Sequence, residues 1–100
     1  MPTRGPEGGI TGGSAPIITF DQFAYKDLKP GEYAYWKFQS GTKEAVTIDA
    51  LLSRVKGGNP SGVTTSGNLY IYYQNPGGGY SSVSSKFLTE PGRTYYIRVT

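Results

Sequence analysis

Glu32-Tyr33-Ala34-Tyr35-Trp36-Lys37-Phe38-Gln39 decides the fold class. Ala34, Trp36 and Phe38 fall on one side of a two-residue repeat, and Tyr33, Tyr35, Lys37 and Gln39 fall on the other. That alternation predicts a half-buried β-strand with Trp36 and Phe38 in the core. The same pattern recurs downstream. Leu69 to Gln74 alternates Leu69, Ile71 and Tyr73 against Tyr70, Tyr72 and Gln74. Thr94 to Thr100 sets Tyr95, Ile97 and Val99 against Tyr96, Arg98 and Thr100. Lys29-Pro30-Gly31 and Pro91-Gly92 supply turns, because proline fixes φ and glycine admits φ > 0. Each Pro-Gly pair feeds a strand in the same in–out register, an echo that turn and strand physics explains without duplication.

Outward from these strands the reading is less regular. Ile17 to Tyr25 predicts a first strand, bent near Asp21, on its β-branched and aromatic content. Glu44 to Ser53 predicts a strand with Val46, Ile48, Ala50 and Leu52 inward. Residues 56–68 predict a long loop from Lys56-Gly57-Gly58-Asn59-Pro60-Ser61-Gly62 to Gly67-Asn68. Asn75-Pro76-Gly77-Gly78-Gly79 predicts a second flexible loop. Tyr80 to Leu88 predicts one weak strand or two, with Val83 and Phe87 inward.

Residues 1–16 contain five Gly and three Pro and no aromatic residue. Such a segment buries too little apolar surface to offset its own ordering entropy. It is expected to be a flexible arm, or one that orders on a neighbouring subunit, with Arg4 and Ile10 as its contact residues. The expected organisation is therefore arm 1–16 and domain 17–100. The fold class is all-β: a small antiparallel β-sandwich, jelly-roll or Ig-like, with an extended Gly/Pro-rich N-terminal arm. One hundred residues suffice for one such core.

Composition narrows the chemistry. There is no Cys and no His. Disulfides, thiolate and imidazole metal ligands, a cysteine nucleophile and a histidine base are excluded. The seven acids, Glu7, Asp21, Asp27, Glu32, Glu44, Asp49 and Glu90, lie mainly in turns or outward positions, unpaired for acid–base work. Asp21 and Asp27 flank the first turn and are the one pair that a calcium ion could share with backbone carbonyls. No EF-hand spacing supports such a site, and no metal and no cofactor is expected. Gly77-Gly78-Gly79 lacks the lysine and helix of a phosphate loop. Ser81, Ser82, Ser84, Ser85 and Lys86 alternate faces and form no nucleophile–base pair. The reading is a non-enzyme.

The net charge is +3, from 10 basic and 7 acidic residues, and the basic residues are scattered. Nucleic acid and membrane partners are not expected. Met1 to Glu7 has no apolar core of a secretory signal; if Met1 is the natural start, export by that route is not expected.

Glu32 to Phe38, Val46-Thr47-Ile48, Leu69 to Tyr72 and Pro91-Gly92-Arg93-Thr94-Tyr95-Tyr96-Ile97-Arg98-Val99 together resemble the bacterial pre-peptidase C-terminal domains, over about residues 28–100. These are β-sandwiches appended to secreted proteases and collagenases. The Pro-Gly-x-x-Tyr-x-x-x-Val ending also resembles the corner before a late strand in fibronectin type III domains. That likeness implies that the Tyr95 hydroxyl bonds back to nearby backbone. The acidic calcium cluster of collagen-binding members has no counterpart here. Both families continue beyond the equivalent of Val99 with another strand. The resemblance therefore implies an open sheet edge, filled by the N-terminal segment or by another chain.

Tyrosine is the most informative residue type, with nine copies. Tyr33, Tyr35, Tyr70, Tyr72 and Tyr96, with Arg98, read as an outward interface or ligand face. A tyrosine buries a broad ring while its hydroxyl stays wet, which suits protein contacts and sugar stacking alike. Tyrosine is also simply at home on a half-exposed strand. The expected function is a structural or assembly protein of a virus particle, such as a phage capsid-decoration or tail-associated subunit. Its partner would be protein, through self-association or a neighbouring capsid or tail subunit, and its location the virion. One alternative is a carbohydrate- or fibrous-protein-binding module of a secreted bacterial protein, with a glycan partner. Another is an extracellular filament subunit.

Overall fold

The computed structural model describes residues 3–20, 22–24, 26, 28, 31–49, 51–56, 59–66 and 68–100, with backbone alone over 51–66. The expectations that fell on Asp21, Tyr25, Asp27, Lys29, Pro30, Ala50, Gly57, Gly58 and Gly67 lie outside the described residues, as does the Leu52 side chain. The described residues form an all-β fold with no α-helix. Ten strands run in the order β1 (Thr3–Arg4), β2 (Gln22–Phe23), β3 (Ala34–Gln39), β4 (Ala45–Thr47), β5 (Leu51–Lys56), β6 (Asn59–Ser66), β7 (Leu69–Gln74), β8 (Tyr80–Val83), β9 (Lys86–Leu88) and β10 (Thr94–Val99).

The central element is an open antiparallel sheet in the order β3-β10-β7-β8. Register follows the alternation read in the sequence. Trp36 lies opposite Ile97, which lies opposite Ile71, which lies opposite Val83. One face of the sheet therefore collects Ala34, Trp36, Phe38, Tyr95, Ile97 and Ile71, all buried. Over it pack Val46 of β4 and the half-buried Phe87 of β9, whose strands pair with each other, and Ile18, Ala24 and Leu28. Phe20 meets Phe38 edge-on, with ring centroids 5.0 Å apart. Tyr95 is held between Phe87 at 4.8 Å and Tyr73 at 5.7 Å, and the Arg93 guanidinium lies 4.0 Å from the Tyr73 ring centre.

Tight turns set the strand ends. Glu90-Pro91-Gly92-Arg93 closes with Arg93 N–H donating to the Glu90 carbonyl at 3.1 Å, and Gly92 takes φ +77°, which a side chain would strain. The Tyr95 hydroxyl accepts from the Glu90 N–H at 3.0 Å, a bond back to the backbone of the turn that precedes its strand. Beside this corner Thr89 is fully buried. Its hydroxyl donates to the Thr42 carbonyl at 2.7 Å and accepts from the Glu44 N–H at 3.1 Å. One carbonyl and one N–H of the β3–β4 connection are thereby satisfied inside the protein.

Three segments differ from the sequence reading. The expected strand 44–53 is two elements with different partners, because β4 pairs with β9 and β5 pairs with β6. The expected loop 56–68 contains β6, antiparallel to β5 with an irregularity between Ser53 and Val55. Its Gly and Pro signals suggested a loop, yet Val63-Thr64-Thr65 is β-branched, and a two-stranded ribbon tolerates Pro60, since an edge position needs no donor. Within the expected strand 17–25 the described residues hold the short strand β2, with Ile17 bridged to Lys37.

The Gly/Pro-rich segment has a place within its own chain. Gly9 and Tyr35 exchange two backbone hydrogen bonds, of 2.9 and 2.8 Å. Lys37 N–H donates to the Pro16 carbonyl at 2.8 Å, and Ile18 N–H donates to the Lys37 carbonyl at 2.8 Å. The outer edge of β3 is thus paired. The Trp36 indole N–H donates to the Pro6 carbonyl at 2.9 Å, and Glu7 pairs with Lys26 at 3.0 Å. Glycine is needed here for closeness: a Cβ on Gly8 would sit 2.8 Å from the Trp36 ring. Gly8→Ala is predicted to lift the segment off Trp36 and to cost about 1–3 kcal/mol in denaturant unfolding. Emission of the single tryptophan should shift red and become quencher-accessible while strand dichroism persists; unchanged emission would contradict the docking.

Candidate functional site

The second face of the four-stranded sheet carries the tyrosines. Register places them in two rows. Arg98 lies between Tyr35 and Tyr70, and Lys37, Tyr96, Tyr72 and Ser82 follow one another across all four strands. The rings touch. Tyr72 stacks on Tyr96 with centroids 5.4 Å apart and planes 17° from parallel, lies 5.3 Å from Tyr70, and meets Tyr80 edge-on at 5.7 Å. Tyr33 precedes β3 and tilts against Tyr35 at 6.3 Å. The Arg98 guanidinium lies 4.8 Å from both the Tyr33 and the Tyr70 ring centres. A cation between two aromatic faces is attracted by each quadrupole, at about 0.5–1 kcal/mol apiece near the surface.

The six residues singled out in the sequence, Tyr33, Tyr35, Tyr70, Tyr72, Tyr96 and Arg98, are therefore brought together on one face. Arg4 and Ile10 are not part of it. Arg4 sits in β1 opposite Phe23, and Ile10 is exposed at the bend after Gly9. Two neighbours were missed by the sequence reading. Tyr80 is 64% exposed and completes the ring cluster. Its signal was the inward assignment of Val83, which by parity sends residue 80 outward. Gly12, in a 3-10 turn at Gly12–Ser14 capped by Thr11, approaches so closely that a Cβ there would lie 3.4 Å from the Tyr72 hydroxyl. That contact needs the whole fold and has no sequence signal.

A shallow hollow of about 260 Å³ opens between Tyr70, Tyr72, Tyr80 and Arg98. No acidic residue occupies an outward position on the four strands, so the face is aromatic and cationic. Tyr72 sits at its centre. Partial burial raises its pKa above the ordinary value, and the neighbouring phenols Tyr35, Tyr80 and Tyr96 raise it further, against a lowering by Arg98.

Elsewhere the chemistry is sparse. No group of three or more acids that could hold a metal occurs among the described residues. Glu7 and Glu90 pair with Lys26 and Lys43, and the Glu44 carboxylate lies 2.7 Å from the Ser40 hydroxyl. No described helix is long and apolar enough to cross a membrane. No family model, no curated protein and no solved structure matches this chain.

The raised Tyr72 pKa has a definite sign for stability. Between the ordinary tyrosine value, about 10, and the folded value, the unfolded chain has released a proton that the folded chain retains. Stability is therefore predicted to fall as pH rises through that window. Tyr72→Phe should lessen the fall in alkaline denaturant titrations; an unchanged alkaline slope would contradict the assignment.

Proposed function

We propose that this chain is a non-enzymatic assembly protein whose outer tyrosine face binds a neighbouring protein, in the first instance another copy of itself. On this reading the four-stranded sheet and the layer over its apolar face make a small β-sandwich that acts as a rigid mount. The setting is a virus particle, with the chain as a capsid-decoration or tail-associated subunit. The observation that carries the reading is the single connected set of Tyr33, Tyr35, Tyr70, Tyr72, Tyr80, Tyr96 and Arg98 on one sheet face, free of acids. Tyrosine and arginine are residues on which protein interfaces concentrate their energy: tyrosine offers a broad apolar ring with a polar tip and only two torsions to fix, and arginine a planar cation that stacks on rings.

A second reading rests on the hollow between Tyr70, Tyr72, Tyr80 and Arg98. A sugar ring could stack on the Tyr80 face while its hydroxyls meet Arg98. The chain would then be a glycan-binding module of a secreted protein.

Light scattering across a concentration series separates the two. The assembly reading predicts species larger than a dimer, and Tyr70→Ser with Tyr80→Ser should raise the concentration needed for them by about 10-fold or more. Insensitivity of the mass to these changes would contradict it. Tyr80-dependent binding on a glycan array, with a constant small mass, would select the second reading.

A further inference from the structure

The two edges of the four-stranded sheet differ. The β3 edge is paired by Gly9, Pro16 and Ile18 of the same chain. The β8 edge is paired by no described strand. Strand alternation fixes which groups that edge presents. Tyr35 exchanges both its bonds with Gly9, so Trp36 and Phe38 bond to β10. By the same alternation Tyr96 and Arg98 bond to β7, and Ile71 and Tyr73 bond to β8 at Val83 and Ser81. The backbone N–H and C=O groups of Tyr80 and Ser82 therefore point away from the sheet.

We propose that the β8 edge pairs with the β8 edge of a second copy, antiparallel about a two-fold axis at Ser81, to give a continuous eight-stranded sheet. Tyr80 of each copy then lies opposite Ser82 of the other, and the two pairs exchange four backbone hydrogen bonds. The match is self-complementary in side chains as well. Tyr80 and Ser82 share the outer face, so each broad ring meets a small neighbour. Charge permits the same partner. Residues 69–85 contain no charged side chain, so two copies of a chain of net charge +3 can meet here without local repulsion. β7 and β8 themselves offer no side-chain charge to an acidic or basic partner. The edge also lacks the devices that protect an exposed strand, with no lysine and no proline within Tyr80–Val83. An isologous contact of this kind stops at two copies, whereas the tyrosine face serves contacts beyond two. The edge pairing stands on strand register and does not rest on the tyrosine face.

Sedimentation velocity on the full chain tests the pairing. A concentration-dependent dimer is expected as the first associated species, whether or not larger ones follow through the tyrosine face. Ser82→Pro removes one outward donor and spares the bonds to β7, and it should weaken the dimer by about 10-fold or more. A second variant covers a failure of that one to fold. In this cysteine-free chain, Ser81→Cys places two thiols on the axis, in a non-hydrogen-bonded pair with Cα atoms about 4.5 Å apart. It should oxidise to a covalent dimer much faster than Gly41→Cys, which lies in open space. A wild-type monomer at every concentration, which would leave the edge to a different chain, overturns the proposal. So does equal oxidation of the two cysteine variants.

Discussion

The backbone hydrogen bonds along the outer edge of β3 are the constraint on which the rest of the structure depends. An open sheet must satisfy two rows of polar backbone groups. At β3 the chain does so itself, through Gly9, Pro16 and Ile18. The segment can lie this close only because glycine stands at residues 8 and 9, where a Cβ would meet the Trp36 ring or the Ser14 carbonyl. Its position in turn satisfies the Trp36 indole through Pro6. It also brings Ile18, Phe20, Ala24 and Leu28 to the apolar face of the sheet. Pairing at one edge and packing of the core are thus one event.

The two faces of that sheet divide the work. The inner one collects Trp36, Phe38, Ile71, Tyr95 and Ile97 and supplies stability by burial. The outer one is covered by rings that mostly pack on each other, with Arg98 between two of them. Mutual packing fixes the rings and lowers the entropy that a contact would have to remove. On the proposed assembly reading, such a face is held ready for contact.

The alternating strands were legible because each holds an unbroken two-residue repeat. Ala34-Trp36-Phe38, Leu69-Ile71-Tyr73 and Tyr95-Ile97-Val99 are inward in both sequence and structure. The outward tyrosines of β3, β7 and β10 follow by the same parity, whereas Tyr80 lies in a stretch with no unbroken repeat, where only Val83 and Phe87 mark the inward side. What was not legible is what tertiary contact decides. Residues 3–18 hold few apolar side chains, and their attachment is by main-chain bonds and glycine closeness, which leave no hydrophobic period to read. The β5–β6 ribbon was hidden by its Gly, Asn and Pro content. The division of 44–53 into two strands reflects a change of partner, from β9 to β6, that local propensity does not encode.

Residue-resolved amide hydrogen exchange, at low and at high protein concentration, tests the account of the two edges most directly. The Tyr35 and Lys37 amides, bonded to the N-terminal segment, should be protected at every concentration. The Tyr80 and Ser82 amides should exchange freely in dilute solution and become protected as concentration rises. Free exchange at Tyr35 and Lys37, or concentration-independent exchange at Tyr80 and Ser82, would contradict the account.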